Sequence, residues 1–130
     1  MLNMYPMLLA WALVTASAPS AGAESTEYRR LTTSELVTLL SGSTFTQPDR
    51  QYSWQRTPEE FHKDGTYIRH ADNFEGRGSY NIQGGSVCVT ETREREICRQ
   101  VMIDRDGQYW ITKRNNMPGL IRISVGPIRK

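Results

Sequence analysis

The sequence contains only two cysteines and two histidines, which leaves few groups for metal binding or nucleophilic catalysis. A metal site at Cys88 and Cys98 would need further His or Cys ligands at short spacing, and the sequence offers none. No serine lies in a Gly-x-Ser-x-Gly elbow; the stretch from Gly76 to Ser79 only approaches one. We therefore predict no catalytic residue, no metal site and no cofactor.

Neither sign of charge dominates, and long apolar runs are absent. Lys and Arg number 16 and Asp and Glu number 14, with the two signs interleaved, for a formal charge of +2. This mixed surface is not the basic footprint of a nucleic-acid-binding protein. The apolar run Met7 to Val14 is far shorter than the roughly 20 residues of a membrane-spanning helix.

Residues 1–23 instead have the features of a secretory signal peptide. After the apolar run come the small residues Ala16 to Ser20 and an Ala-x-Ala cleavage site at Ala21-Gly22-Ala23. No Lys or Arg precedes the apolar run, and an uncleaved anchor is the alternative. We predict a mature chain from Glu24 to Lys130, long enough for one domain, in the periplasm or outside the cell, with no transmembrane span after cleavage.

Cys88 and Cys98 are predicted to form a disulfide, as expected of two cysteines behind a signal peptide. If a turn is centred on Arg93, the two cysteines face each other on adjacent antiparallel strands. Val89 then faces Ile97 on the other side of the hairpin. By the chain-entropy account, a ring of this size stabilises the fold by roughly 2 to 3 kcal/mol.

A single helix is predicted at residues 33–41. A capping box spans Thr32 to Glu35, and Gly42 can end the helix in the left-handed conformation. Leu31 and Leu36 stand where a hydrophobic staple would place them. The predicted apolar side of the helix consists of Leu36, Val37, Leu39 and Leu40.

After Gly42 the composition becomes that of β-strands, with eight Ile and four Val against one Ala. Turn signals recur at Asp64-Gly65, Gly84-Gly85 and Asp106-Gly107, and each implies a hairpin register. The paired residues are Phe61 with Ile68 and Glu60 with Arg69, Ile82 with Val87 and Tyr80 with Val89, and Ile103 with Tyr109 and Val101 with Ile111.

These hairpins predict a mainly β fold. Seven or eight strands form an antiparallel meander, because some of the early candidate segments merge or fail. One helix cannot cover the apolar face of such a sheet, so we expect closure into a small barrel or half-barrel, with a helix-on-sheet arrangement as the alternative. The candidate segments are 44–47, 51–56, 60–63, 66–70, 78–82, 86–91, 96–104, 108–113 and 120–125.

The predicted register separates the two histidines. It places His70 opposite Glu59 and on the other face from His62, so the imidazoles diverge and are interpreted as surface residues. An enzyme using His62, His70 and Arg69 is kept as an alternative. Gly76-x-Gly78 is a weak phosphate-loop signal without a following helix, and we interpret it as a bend between strands.

Arg99 is the charged residue that alternation places on the inner face, opposite Val87. We interpret it as an arginine that extends to the barrel rim; the alternative is an anion-binding group inside a ligand cavity. Tyr52, Trp54 and Trp110 could stack on an apolar or sugar-like ligand if they share an open barrel mouth. The alternating charges of Glu91 to Glu96 are expected to keep the hairpin tip soluble, or else to dock a partner.

The order of these motifs resembles a family of small secreted β-rich proteins of alphaproteobacterial type. The resemblance covers about residues 31–112, and it rests on Leu31 to Leu36 running into Leu40 to Thr44, on Phe61 to Thr66, Gly78 to Tyr80 and Val87-Cys88, and on Cys98 through Gly107. It implies an exported β-rich domain and carries over no functional residue. A weaker similarity is to secreted barrel inhibitors of bacterial metalloproteases.

Together these observations predict a non-enzymatic exported binding module, whose partner is an envelope protein or a small ligand. The first alternative is a barrel-type protease inhibitor in which residues 24–30 protrude into an active-site cleft. The second is the enzyme using His62 and His70.

Overall fold

The computed structural model describes residues 27–52, 56–114 and 117–128. The predicted signal peptide at 1–23 and the candidate ligand residue Trp54 lie outside these ranges. The described ranges contain no helix with the length and apolar character that a membrane crossing requires.

The described residues form one helix and ten β-strands, and every pair of neighbouring strands is antiparallel. The helix is α1 (Thr33–Leu40). The strands are β1 (Arg29–Arg30), β2 (Ser43–Thr46), β3 (Glu59–Phe61), β4 (Thr66–Ala71), β5 (Phe74–Gln83), β6 (Ser86–Glu91), β7 (Ile97–Arg99), β8 (Val101–Ile103), β9 (Tyr109–Thr112) and β10 (Leu120–Pro127).

The sheet is a curled meander. Strands β2 to β7 pair in sequence order, as do β8 to β10, and β10 returns to pair with β2. Only Gln100 separates β7 from β8; its carbonyl accepts a hydrogen bond from the Thr112 N–H, 3.0 Å away. Strands β7 and β8 therefore form one bent stretch, in which β7 pairs with β6 and β8 pairs with β9. The predicted antiparallel half-barrel with one short helix is confirmed.

Helix α1 covers one end of the half-barrel. The predicted capping box is present: the Glu35 N–H donates to Thr32 Oγ1 at 3.2 Å, and the Thr32 N–H donates to Glu35 Oε1 at 3.1 Å. Leu36 and Leu40 are fully buried, whereas Val37 is 55% exposed. The prediction that Val37 belongs to the apolar side was wrong. The buried residues of the helix are Leu36 and Leu40, which lie four positions apart on one narrow stripe, and Val37 lies outside that stripe.

Two of the three predicted hairpin registers are confirmed. Tyr80 faces Val89 and Ile82 faces Val87, while Val101 faces Ile111 and Ile103 faces Tyr109.

The register at Asp64-Gly65 was wrong by one residue, since Glu59 faces Arg69 and Phe61 faces Tyr67. The loop has three residues rather than two: the His62 N–H donates to the Thr66 carbonyl oxygen at 2.9 Å, and Gly65 adopts φ +90°. Asp64 Oδ1 stabilises this turn by accepting from the Thr66 N–H.

Two segments differ from the predicted strand pattern. Gln51, Tyr52 and Arg56, the described part of the predicted strand 51–56, form bends. Strand β5 begins at Phe74, so Gly76 and Gly78 lie inside a strand rather than at a bend.

Residues 27–30, which would protrude if the protein were a barrel-type inhibitor, lie against the half-barrel. Arg29 and Arg30 pair with Ile103 and Met102, and the Arg30 guanidinium donates to the Gly84 carbonyl oxygen at 2.8 Å.

Candidate functional site

The interior of the half-barrel is apolar near α1 and charged at the opposite end. Leu36 and Leu40 pack against inward residues such as Phe45 and Phe61. At the other end, where β2 and β9 finish and β3 begins, charged side chains point inward. We name this group the mouth cluster; its members are Glu59, Tyr67, Arg69, Glu91, Arg99 and Arg114.

Glu59 and Arg99 form the buried centre of the mouth cluster. Arg99 Nη2 lies 2.5 Å from Glu59 Oε1 and Nη1 lies 3.2 Å from Oε2, with 3% and 5% of the two side chains exposed. The Tyr67 hydroxyl donates to Glu59 Oε1 at 2.5 Å. Burial alone would raise the pKa of Glu59, but the charge of Arg99 and the hydrogen bonds from Arg99 and Tyr67 outweigh it and lower that pKa.

Arg69 and Glu91 form a second pair beside the first. Arg69 Nε and Nη2 donate to the two Glu91 carboxylate oxygens at 2.6 and 3.0 Å, and these bonds lower the pKa of Glu91. Gly76 leaves room for this carboxylate, since a Cβ there would lie 2.7 Å from Glu91 Oε1. Gly76 is therefore explained by the space that the Glu91 carboxylate needs, and not by a bend in the chain.

Arg114 is the most loosely held cation of the mouth cluster. Its Nη2 donates to the Tyr67 hydroxyl at 3.1 Å and lies 3.9 Å from Glu59 Oε1 and 3.7 Å from Glu91 Oε1. Its side chain is 27% exposed, in contrast to the buried Arg99. Arg114 therefore connects the buried ion pairs to solvent.

A cavity of about 120 Å³ lies among these side chains. It is lined by Glu59 and the three arginines, together with the hydroxyl-bearing residues Thr57 and Thr112. The volume accommodates a small oxyanion, since one water molecule needs only about 10–15 Å³. Neither the Nε–H of Arg99 nor that of Arg114 has a hydrogen-bond partner among the described residues.

Burial and ion pairing determine the charges of the mouth cluster. The arginines pair with Glu59 and Glu91 and lower both carboxyl pKa values, so both stay ionised. Burial and the Glu59 charge raise the pKa of Tyr67, so its hydroxyl stays protonated. Arginine does not deprotonate in proteins. The mouth cluster therefore presents three cationic and two anionic side chains around a small cavity.

Arg99 lines the cavity instead of reaching the rim. It is 3% exposed and opposite Val87, so the predicted inward position is confirmed and the interpretation of a rim-seeking side chain was wrong. The carboxylate of Glu59 removes the need for water contact because it supplies the opposite charge inside the barrel.

Of the aromatic candidates, the two in the described ranges, Tyr52 and Trp110, do not line the cavity. Trp110 lies beside an adjoining groove of about 300 Å³, and its indole Nε1–H donates to Asp104 Oδ2 at 2.9 Å. Tyr52 is 51% exposed and follows Arg50 of that groove by two residues.

Both histidines share the outer face, contrary to the prediction that they diverge. The one-residue register shift places Glu60 between them: His70 Nε2 is 2.5 Å from Glu60 Oε2, and His62 Nε2 is 3.9 Å from Glu60 Oε1. Arg69 lies on the inner face with Glu91, so the three residues of the enzyme alternative do not form one site. Glu60 and His70 line an outer cleft of about 390 Å³.

Cys88 and Cys98 form the predicted disulfide, with Cα atoms 4.0 Å apart. In the described ranges, one set of His, Cys, Asp and Glu atoms converges closely enough for a metal ion, namely Cys88, Glu96 and Cys98. Because its two sulfurs are bonded to each other, this set has no thiolate to offer a metal.

Sequence reasoning missed five members of the mouth cluster. Glu91 had a usable signal, since it continues the inward alternation of Val87 and Val89; it was assigned to the soluble tip but is only 6% exposed. The register error placed Tyr67 and Arg69 on the outer face, and Glu59 lies just before the predicted strand 60–63. Arg114 follows β9 and has no pattern of its own.

Comparison with known proteins adds no identity. No family model, curated protein or solved structure matches the chain. The resemblance to small secreted proteins of alphaproteobacterial type stays a prediction.

Proposed function

We propose that this protein is a non-enzymatic, exported binding module that takes a small oxyanion into the cavity of the mouth cluster. The observation that carries the proposal is an excess of positive charge: three guanidinium groups share the site with two carboxylates. The cluster carries a net charge of +1, and its unbalanced cation, Arg114, has only 27% of its side chain exposed, so it attracts an anion more strongly than an arginine in open water does.

Arg114 is the residue expected to engage the ligand first. Its contacts to both carboxylates are longer than the close pairs made by Arg69 and Arg99, and part of its side chain is exposed. A guanidinium group offers planar, bidentate recognition of carboxylate or phosphate oxygens. An entering oxyanion would accept from Arg114, while the Glu59–Arg99 pair keeps the cavity wall in place.

The exported location is supported by the Cys88–Cys98 disulfide, because such bonds persist in oxidising compartments. We expect the natural material to have the mass of residues 24–130 less two hydrogens. Mass spectrometry of protein from its native host tests this, and an intact leader with two free thiols would contradict it.

The binding proposal is tested by thermal unfolding of the oxidised mature chain with acetate, phosphate or sulfate at matched ionic strength, with chloride as reference. A ligand bound only by the folded state at about 100 times its Kd adds about 2.7 kcal/mol, so at least one oxyanion should raise Tm in a saturable way.

The variant Arg114→Gln should weaken that binding about tenfold or more, because a charged hydrogen bond contributes roughly 1.5–3 kcal/mol. Arg77→Gln is the matched control, since Arg77 is 64% exposed and pairs with Glu75 outside the mouth cluster. Equal Tm values in all salts, or equal losses in both variants, would overturn the proposal.

The inhibitor alternative has no comparable support. It needs the N-terminal segment to protrude, whereas Arg29 and Arg30 pair with β8 and Arg30 contacts the β5–β6 turn.

A further inference from the structure

A groove of about 300 Å³ adjoins the cavity of the mouth cluster. Gln47 and Ile121 line both spaces, so the cavity and the groove share a wall. We name it the Trp110 groove, because the indole of Trp110 supplies its aromatic surface. Trp110 pairs with Met102 and Arg122 on the face of β9 opposite to the buried Ile111, so the groove lies on the outer side of the sheet. A ligand whose head occupies the cavity would pass over the end of β9, beside Gln47 and Ile121, to place its body in this groove.

The indole of Trp110 is held in a fixed orientation. Its Nε1–H donates to Asp104 Oδ2 at 2.9 Å, and the ring of Tyr28 packs against it edge-on with centroids 5.5 Å apart. A ring held on two sides loses little conformational freedom when a ligand packs against it. Such a surface favours flat or apolar groups.

The charge of the groove has the same sign as that of the cavity. Its lining contains the cations Arg50, Lys113 and Arg122 and the anion Asp49. Arg122 is paired with Asp49, with Nε 2.6 Å from Oδ2, whereas Lys113 forms no ion pair with a described residue. Groove and mouth cluster together hold six cationic and three anionic side chains, although the whole chain is only +2. The molecule therefore concentrates its positive potential at this end.

We infer that the ligand is an oxyanion attached to a flat, apolar body, with its head among the arginines of the cavity and its body against Trp110. This inference rests on the proposed function and adds the class of ligand. The oxyanion head is tested by substitution of Arg114 and the apolar body by substitution of Trp110, so the two ideas can be tested separately.

The experiment measures the affinities of acetate and benzoate for the oxidised mature chain by calorimetry or by NMR titration. Benzoate should bind about tenfold or more tightly than acetate, because an aromatic contact and its buried area add about 1.4 kcal/mol or more. Phenyl phosphate against inorganic phosphate is the second pair, and a preference for the aromatic member of either pair supports the inference.

Variants at Trp110 assign the preference to the groove. Trp110→Leu should remove the advantage of benzoate while leaving acetate binding unchanged, and Trp110→Phe should retain most of it. Far-UV circular dichroism and Tm confirm that each variant is folded.

The possible failures are distinct. If neither benzoate nor phenyl phosphate binds more tightly than its small counterpart, the aromatic body is wrong and the oxyanion site stands. If benzoate keeps its advantage in Trp110→Leu, the groove is the wrong location. If no oxyanion binds, both ideas are overturned.

Discussion

Glu59 and Arg99 are 40 residues apart in the chain, yet they form the most deeply buried ion pair of the described residues. Each charge is tolerated inside the barrel only because the other is there. Removing one member of such a pair is strongly destabilising, whereas replacing both by neutral groups of similar volume is often close to neutral.

We expect Arg99→Met to lower the free energy of unfolding by about 3–5 kcal/mol, because Glu59 would lose its buried counter-charge. The double variant Glu59→Gln with Arg99→Met should cost clearly less than the sum of the two single variants. Urea unfolding of the four proteins in the cycle measures the coupling. Additive losses would contradict the description of the two residues as one buried unit.

The two carboxylates of the mouth cluster also predict a pH dependence. The pKa values of Glu59 and Glu91 are lowered from an ordinary value of 4.5 in the folded state. Their contribution to stability is therefore fully present above about pH 5 and is lost as the pH falls through the lowered values. Urea unfolding at a series of pH values should show a free energy that declines below this point.

Glu91→Gln should reduce that decline, since one of the responsible groups no longer titrates. Glu94→Gln is the control, because Glu94 lies on the exposed hairpin tip. Its replacement changes the net charge of the protein by the same amount as Glu91→Gln. Identical slopes for Glu91→Gln and the wild type between about pH 5 and pH 2 would exclude Glu91 as a source of the acid sensitivity.

At the scale of elements, the close approach of β5 and β6 determines how the charged interior fits. Gly78 faces Glu91 across the ladder, and a Cβ at Gly78 would overlap the carbonyl oxygen of Thr90. Because that oxygen belongs to the backbone of β6, it cannot move without disturbing the strand that holds Glu91.

Gly78→Ala should therefore destabilise the protein by about 1–3 kcal/mol or more through overpacking. Gly126→Ala on β10 is the matched control. Apart from its two chain neighbours, no described residue has an atom within 4 Å of its Cβ position, and alanine is favoured over glycine inside a strand by roughly 0.5–1 kcal/mol. Thermal unfolding should move Tm in opposite directions for the two variants. A shift of the same sign in both would show that the contact with Thr90 does not limit the side chain at Gly78.

The hairpins differ in how well the alternation of apolar residues predicts their register. Gly84-Gly85 and Arg105 to Gly107 lie between strands with strongly alternating apolar residues, and there the pattern itself selects the register. Around Asp64-Gly65 the flanking residues alternate weakly, and the Asp64 side chain stabilises a three-residue loop by accepting from the Thr66 N–H. The three-residue loop shifts the register by one residue from the predicted one, and this places Tyr67 and Arg69 rather than Ile68 on the inner face.

At the scale of the whole molecule, one covalent link supports a small half-barrel. The disulfide joins β6 to β7, the strand that bends at Gln100 into β8. The disulfide therefore holds together the β6–β7 hairpin, directly before the chain continues into β8.

Replacing both cysteines, Cys88→Ala with Cys98→Ala, should lower the free energy of unfolding by roughly 2–3 kcal/mol, as expected for a short closed loop. The wild type in reducing buffer should fall to the same value, and the reducing agent should not affect the double variant. Equal stability of oxidised and reduced wild type would show that the bond is dispensable for the fold.

Composition and hydrophobic alternation alone determined the helix, most strands, the disulfide and two hairpin registers, because these depend on neighbours in sequence or on a single turn. The charged mouth was decided only by tertiary structure. The charged side chains come from distant segments, namely Glu59, Arg69, Glu91, Arg99 and Arg114. Whether an inward charge is tolerable depends on the opposite charge that the curled sheet brings to within about 3 Å of it. No local pattern encodes that distance.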